Sequence, residues 1–154
     1  MNKKFILNLL IAFSFIALSF AYFVEFVLGH EPCNLCKIER IPYIGTIILI
    51  SFLIFTKKWE KSILIVVSLL FMFGAVTSVY HVGIEQGIFN ESLLCELGIN
   101  TNIQNTDELL KTLNKTPISC KDVTFKIFGL SLATFNAVLS ILISYILLKL
   151  VLKK

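Results

Sequence analysis

The amino-acid sequence predicts an all-α membrane protein: a four-helix transmembrane bundle with both termini cytoplasmic and one large outward loop. Three observations carry that expectation. Of the 154 residues, 56% are hydrophobic and 16% charged, with a mean hydropathy of +0.85, whereas a soluble domain carries about 25% charged residues. The apolar residues collect in four long runs rather than spreading over one core. The charges between those runs are sorted by sign. A soluble globular domain is disfavoured on all three counts.

A helix needs about 20 apolar residues to cross the hydrocarbon layer. Phe5 to Leu28 is the first such run, interrupted by Asn8 and Glu25. Lys3 and Lys4 before it, and Ser19-Phe20-Ala21 within it, raise the question of a cleaved signal peptide. The run continues through Val27, past the about 7–15 residues of a signal's apolar segment, so a retained helix is expected. Ile38 to Phe55 is the second run, with Pro42 placed to suit a first helical turn or a mild kink. Ser62 to Ile84 is the third and Ile127 to Val151 the fourth. The expected organisation is a single membrane domain over 1–154, with spans at about 5–28, 38–55, 62–84 and 127–151 and outer loops at about 29–37 and 85–126.

Four spans put both ends on one side together with the Thr56–Lys61 loop. That side carries Lys3, Lys4, Lys57, Lys58, Lys61, Lys149, Lys153 and Lys154 against Glu60 alone. The other side holds the remaining six of the 14 Lys+Arg and nine of the 10 Asp+Glu. Lysine excess marks the cytoplasm, so the chain is expected in the cytoplasmic (inner) membrane with its two other connections facing outward and Trp59 as an interfacial anchor. The bilayer accounts for the pI of 8.9, and no nucleic-acid partner is needed. Within the larger outer loop, Asn105 with Glu108 reads as an N-cap. Leu109, Leu110 and Leu113 follow on one face of a short helix, lying on the membrane or packed on the loop, that Asn114-Lys115-Thr116-Pro117 ends.

All four cysteines, Cys33, Cys36, Cys95 and Cys120, fall on the outward side. Cys33 and Cys36 share one face at the head of the second span, where backbone N–H groups favour a thiolate and speed thiol exchange. Arg40 lies on that face too. Its plainer roles are snorkelling or pairing with Glu39 or Glu25. A tight structural bridge is the alternative for Cys33 and Cys36, but short CxxC bridges are more often redox-active than structural. Cys95 and Cys120 serve equally as a structural bridge or a redox pair, and the pairing of the four stays open. His30 and His81 would complete a zinc site with the cysteines, but the second pair lacks close spacing and an oxidising exterior disfavours free thiolates, so no metal is expected. His81 and Glu85 stand one turn apart at the outer end of the third span, suited to proton transfer or to a plain surface hydrogen bond.

Cys33-Asn34-Leu35-Cys36-Lys37-Ile38-Glu39-Arg40 resembles the C-x-L-C-x-x-[E/Q]-R signature of the bacterial disulfide-bond formation protein B (DsbB) family. Tyr80-His81-Val82-Gly83-Ile84-Glu85 resembles that family's third-span ending, and Gly129-Leu130-Ser131 with Asn136 its fourth span. The resemblance implies an oxidoreductase that re-oxidises a periplasmic thioredoxin-like (DsbA-like) thiol oxidase. It implies a Cys95–Cys120 disulfide attacked by the reduced partner, with Cys120 taken as the site of the mixed disulfide. Electrons would pass to Cys33–Cys36 and on to a quinone, ubiquinone or menaquinone. Cys36 would meet the quinone ring, Arg40 would orient it, and His81 with Glu85 would help protonate its reduced form. The sequence departs from the family in its compact first outer segment and in Lys37 beside Cys36. Two alternatives are weighed. A thiol oxidase of the vitamin K epoxide reductase type carries its CxxC after the loop pair, whereas here it comes first. A non-enzymatic membrane protein would hold structural disulfides or a Cys/His metal site.

Overall fold

Twenty-four residues from Lys3 to Phe26 form α1 in the computed structural model, which describes residues 3–90, 95, 119–121, 126–127 and 129–152. At 1.5 Å per residue such a helix is about 36 Å long, enough to cross a hydrocarbon layer of about 30 Å. Helices α2 (Asn34–Ile38) and α3 (Ile41–Thr56) form one apolar segment, followed by α4 (Glu60–Glu85) and α5 (Leu132–Leu152). Four segments are thus long and apolar enough to span a membrane. The first three spans begin earlier than the apolar runs suggest. The fourth begins later, because strands β1 (Lys126–Ile127) and β2 (Leu130–Ser131) pair antiparallel around Gly129, at φ 83°, just before it. The helix expected from Asn105 to Leu113 lies outside the described residues.

The second span is broken at Glu39 and Arg40. Pro42 sits in the first turn of α3, where its missing N–H costs nothing. Continued back into α2, the same ring would collide with the Ile38 carbonyl, so the chain resets over two residues. That reset leaves Glu39 buried among the helices, a fact with consequences at the functional site. At the far end of α4, Ile88 N–H donates to the Gly83 carbonyl at 2.8 Å across Gly87, whose φ of 73° suits glycine alone without strain.

The packing is inverted relative to a protein that folds in water. Large apolar side chains stand exposed on every long helix, among them Phe15 of α1, Ile48 and Phe55 of α3, Val76 of α4 and Ile141 of α5. Polar ones are buried: Thr46, Ser68, Ser78, Ser140 and Ser144. Lipid tails are as apolar as leucine, so helices in a bilayer associate through close packing of small residues and hydrogen bonds between them. The α4–α5 seam shows both. Ala133, Ala137, Ser140, Ser144 and Leu147 repeat at alternating spacings of four and three along α5 and are buried. Ser144 Oγ donates to the Ser68 carbonyl and Ser68 Oγ to the Ser144 carbonyl, both at 3.3 Å. Below the seam, Ile50, Leu53, Leu64, Val67, Phe71 and Leu147 form an apolar core with Ile6, Leu7 and Leu10 of α1.

Gly74 lets α3, α4 and α5 meet: a Cβ there would lie 2.9 Å from the Pro42 ring and 3.5 Å from Ser140 Oγ. At Gly45 the added atom would meet only the flexible end of Leu70, at 2.8 Å. Gly74→Ala is therefore expected to destabilise the bundle by about 1–3 kcal/mol through overpacking, and Gly45→Ala by less. Unfolding of the detergent-solubilised protein by SDS titration checks the order of the two.

Candidate functional site

Cys33 is the N-cap of α2, at φ −63° and ψ 168°. Its sulfur takes the place usually filled by a serine or aspartate oxygen, accepting the Cys36 backbone N–H at 3.3 Å. The two-residue spacing of the motif delivers the Cys36 side chain to the same spot, with Sγ to Sγ 2.7 Å. Both are thiols, while Cys95 and Cys120 are joined by a disulfide whose Cα atoms are 5.9 Å apart. Cys33, Cys95 and Cys120 are buried in one cluster with Leu35 and Ile84, so the two pairs lie against each other. The Cys33 thiol is held well below the usual range, at about 5. The hydrogen bond from Cys36 is the largest cause; burial works against it, and the bond and charge offered by His81 reinforce it.

His81 reaches Cys33 from α4, with Nε2 3.5 Å from the sulfur. Its other nitrogen is committed: Nδ1–H donates to Glu39 Oε1 at 2.9 Å. The second oxygen of Glu39 accepts from Asn136 Nδ2 at 2.9 Å. Asn136 is satisfied on every side, because Nδ2 also donates to Ser78 Oγ at 2.7 Å and Oδ1 accepts from Tyr43 at 2.5 Å and Ser140 at 3.4 Å. The α2–α3 break, α3, α4 and α5 are thereby tied through one carboxylate and one amide. Breaking a buried charged pair by removing one partner costs about 3–5 kcal/mol, since the other is left uncompensated. Glu85 borders the group, with Oε1 3.7 Å from His81 Nε2.

Arg40 turns the other way. It forms an ion pair with Glu25 of α1 at 2.5 Å and lies 4.9 Å from the centre of the Tyr22 ring. Between these two polar groups is a cavity of about 520 Å³. Phe13, Ile16, Ala17 and Val24 of α1 and Leu132, Phe135 and Leu139 of α5 form its apolar walls. Cys33, Cys36, Glu39, Arg40, His81, Glu85 and Cys120 form its polar part.

Six of the seven residues singled out from the sequence thus border one cavity, and the seventh, Cys95, is bonded to Cys120. Arg40 pairs with Glu25 rather than Glu39, and His81, 3% exposed, is a core residue and not a surface one. Glu39, Tyr43, Ser78 and Ser140 went unrecognised as site residues. An ionisable residue inside an apolar run is itself a signal, which Glu39 carried, but its partners come from helices remote in sequence. In the reduced protein, Cys33 is expected to react with a small alkylating agent at nearly full rate down to about pH 6 and to lose reactivity through pH 5, as protonation removes the thiolate. Mass-mapped alkylation against pH checks this; a rate already falling below about pH 8 would mark an ordinary thiol.

Residues 3–150 match the profile of the family described as "Disulfide bond formation protein DsbB". An uncharacterized protein of Rickettsia prowazekii (strain Madrid E) is 33% identical over 141 residues, which cover 88% of this chain and 81% of that one. No solved structure matches. With nearly the whole chain matched from first span to last, this multi-pass membrane protein belongs to the disulfide bond formation protein DsbB family, a family of membrane thiol oxidoreductases.

Proposed function

We propose that the protein re-oxidises a thioredoxin-like thiol oxidase outside the cytoplasmic membrane and passes the electrons through its two cysteine pairs to a quinone. The observation that carries this reading is the stacking of the Cys95–Cys120 disulfide on the Cys33–Cys36 dithiol at the wall of an apolar cavity. The lysine asymmetry supports cytoplasmic termini and an outward-facing cysteine end.

The exchange steps balance in electrons. A partner thiolate attacks the loop disulfide; its second thiolate then closes the partner's own disulfide, leaving Cys95 and Cys120 as thiols. Cys120, 2% exposed and on the cavity wall, suits the inner role of attacking a Cys33–Cys36 disulfide. Cys95 then suits the mixed disulfide with the partner, the reverse of the order taken from the resemblance. The second exchange restores Cys95–Cys120 and leaves two electrons on Cys33 and Cys36 as a dithiol.

The cavity fits a quinone by its apolar walls, its size and its polar end. When bound, the quinone accepts the two electrons of the dithiol together with two protons. Arg40, fixed by Glu25 and Tyr22, would hold a ring oxygen, and Cys36, half-buried at the cavity, would face the ring. His81 stands where a proton passes to or from Cys33, and Glu85 beside it extends the path toward the end of α4. The order of the cysteine pairs and the family membership set aside the vitamin K epoxide reductase type.

Loss of quinone absorbance, with a reduced thioredoxin-like oxidase as donor and ubiquinone or menaquinone as acceptor, tests the reading. Turnover is expected to vanish in Cys33→Ser. Arg40→Ala should lower kcat/KM for quinone by about 10–100-fold, the worth of one charged hydrogen bond. Turnover that survives Cys33→Ser, or none at all from folded protein with its loop disulfide intact, would contradict it, the latter favouring purely structural disulfides.

A further inference from the structure

We propose that the reduced Cys33–Cys36 pair and His81 form a binding site for one thiophilic divalent cation, with zinc the best match. The three ligand atoms, two sulfurs and one imidazole nitrogen, lie within 4.8 Å of one another. Tetrahedral zinc, with bonds of about 2.3 Å to sulfur and 2.0–2.1 Å to nitrogen, sets sulfur and nitrogen about 3.6 Å apart and two sulfurs about 3.8 Å apart. Cys33 Sγ and His81 Nε2 already stand 3.5 Å apart. The two sulfurs, at 2.7 Å, must open by about 1 Å, a small rotation for Cys36, which is only half-buried.

The surroundings of His81 are those of a metal ligand. Metal-bound histidines nearly always donate their second N–H to a carboxylate or carbonyl, which fixes the tautomer and aims the free nitrogen. Here Nδ1–H is held by Glu39, which is held in turn by Asn136, and Nε2 is aimed at the sulfurs. Glu85 Oε1 lies 3.7 Å from Nε2 but outside this group of three ligand atoms, so the fourth position is left to a ligand from outside the chain. Two thiolates and an imidazole favour zinc over the hard cations. The sequence presents the four cysteines as one ligand set, in which the second pair lacks close spacing. The structure separates them, since Cys95 and Cys120 are joined in a disulfide and leave the CxxC pair to act with His81.

Binding moves no electrons. The cation takes the place of the proton shared by the two sulfurs and of any proton on Nε2, and those protons are released. A pair held in this way cannot close into a disulfide until the cation leaves. This last consequence rests on the proposed relay: the cation would trap the electrons on the pair and stall turnover.

The test is a cobalt(II) titration of the full-length, detergent-solubilised protein with Cys33–Cys36 reduced and neither quinone nor thiol partner present. A Cys95→Ala, Cys120→Ala chain runs beside it, so that loop thiols cannot contribute. The expected result is one cobalt per chain, with thiolate-to-cobalt absorption and tetrahedral visible bands that zinc abolishes. Oxidation of the pair should remove them. Glu39→Gln is expected to weaken binding by about 10–100-fold, as loss of a carboxylate that holds a metal-bound histidine does. X-ray absorption of the zinc form of the unmutated chain should show two sulfurs and at least one imidazole, a readout independent of any variant's folding. Equal binding by reduced and oxidised protein, or a zinc spectrum with no imidazole, would overturn the proposal. Protein that binds cobalt but reduces no quinone would keep the metal site and sink the relay; the converse would sink the metal site alone.

Discussion

A carboxylate carried into the interior of a membrane bundle must find hydrogen-bond donors there, and Glu39 finds two, His81 on α4 and Asn136 on α5. The alternative is an uncompensated charge in a medium of low dielectric, worth several kcal/mol. Most of the arrangement at the cysteine end depends on meeting that demand. Glu39 is buried because Pro42 forces the second span to restart, and the restart sets α2 at an offset from α3 with Cys33 as its N-cap. His81 is held upright by the carboxylate and so presents Nε2 to the Cys33 sulfur. Asn136 uses its remaining valences on Ser78, Tyr43 and Ser140, which fixes α5 against α3 and α4.

The chemistry inherits this geometry. A thiolate on Cys33 is stabilised by the Cys36 thiol, the Cys36 backbone N–H and His81. Whatever stabilises the thiolate stabilises the reduced pair, and a dithiol with a stabilised reduced form draws electrons from a pair that lacks such support. On the proposed relay, that support on Cys33 favours electrons moving inward, from the loop pair to the CxxC pair at the cavity. The same aligned sulfurs and imidazole that hold a thiolate also make a soft ligand set, so metal affinity follows from the redox design.

Much of this was legible in the sequence. Four apolar runs announced four helices, and Cys33-Asn34-Leu35-Cys36 with Arg40 announced the chemistry, because span length and thiol spacing are local properties. The ends of the spans were less legible. The fourth run included Ile127 and Leu130, which are apolar but lie in a two-residue ladder that no hydropathy pattern distinguishes from a helix. The Cys95–Cys120 bond and the Glu39–His81–Asn136 chain were beyond reach of the residues alone, since each joins positions that only tertiary packing brings together. Of the two partners the sequence offers Arg40, Glu25 is the one it takes, because Glu39 is adjacent on the chain and adjacent residues on a helix do not face each other. The serines of the α4–α5 seam gave no sign either, being ordinary in composition and meaningful only as a pair of facing rows.

The direction of electron flow is the claim on which this account turns, and a single turnover without quinone tests it most directly. The protein with both pairs oxidised is mixed with one equivalent of a reduced thioredoxin-like oxidase, quenched in acid, alkylated and mapped by mass. Label is expected on Cys33 and Cys36, with the Cys95–Cys120 bond restored. Label that stays on Cys95 and Cys120, with Cys33 and Cys36 still bonded to each other, would contradict it.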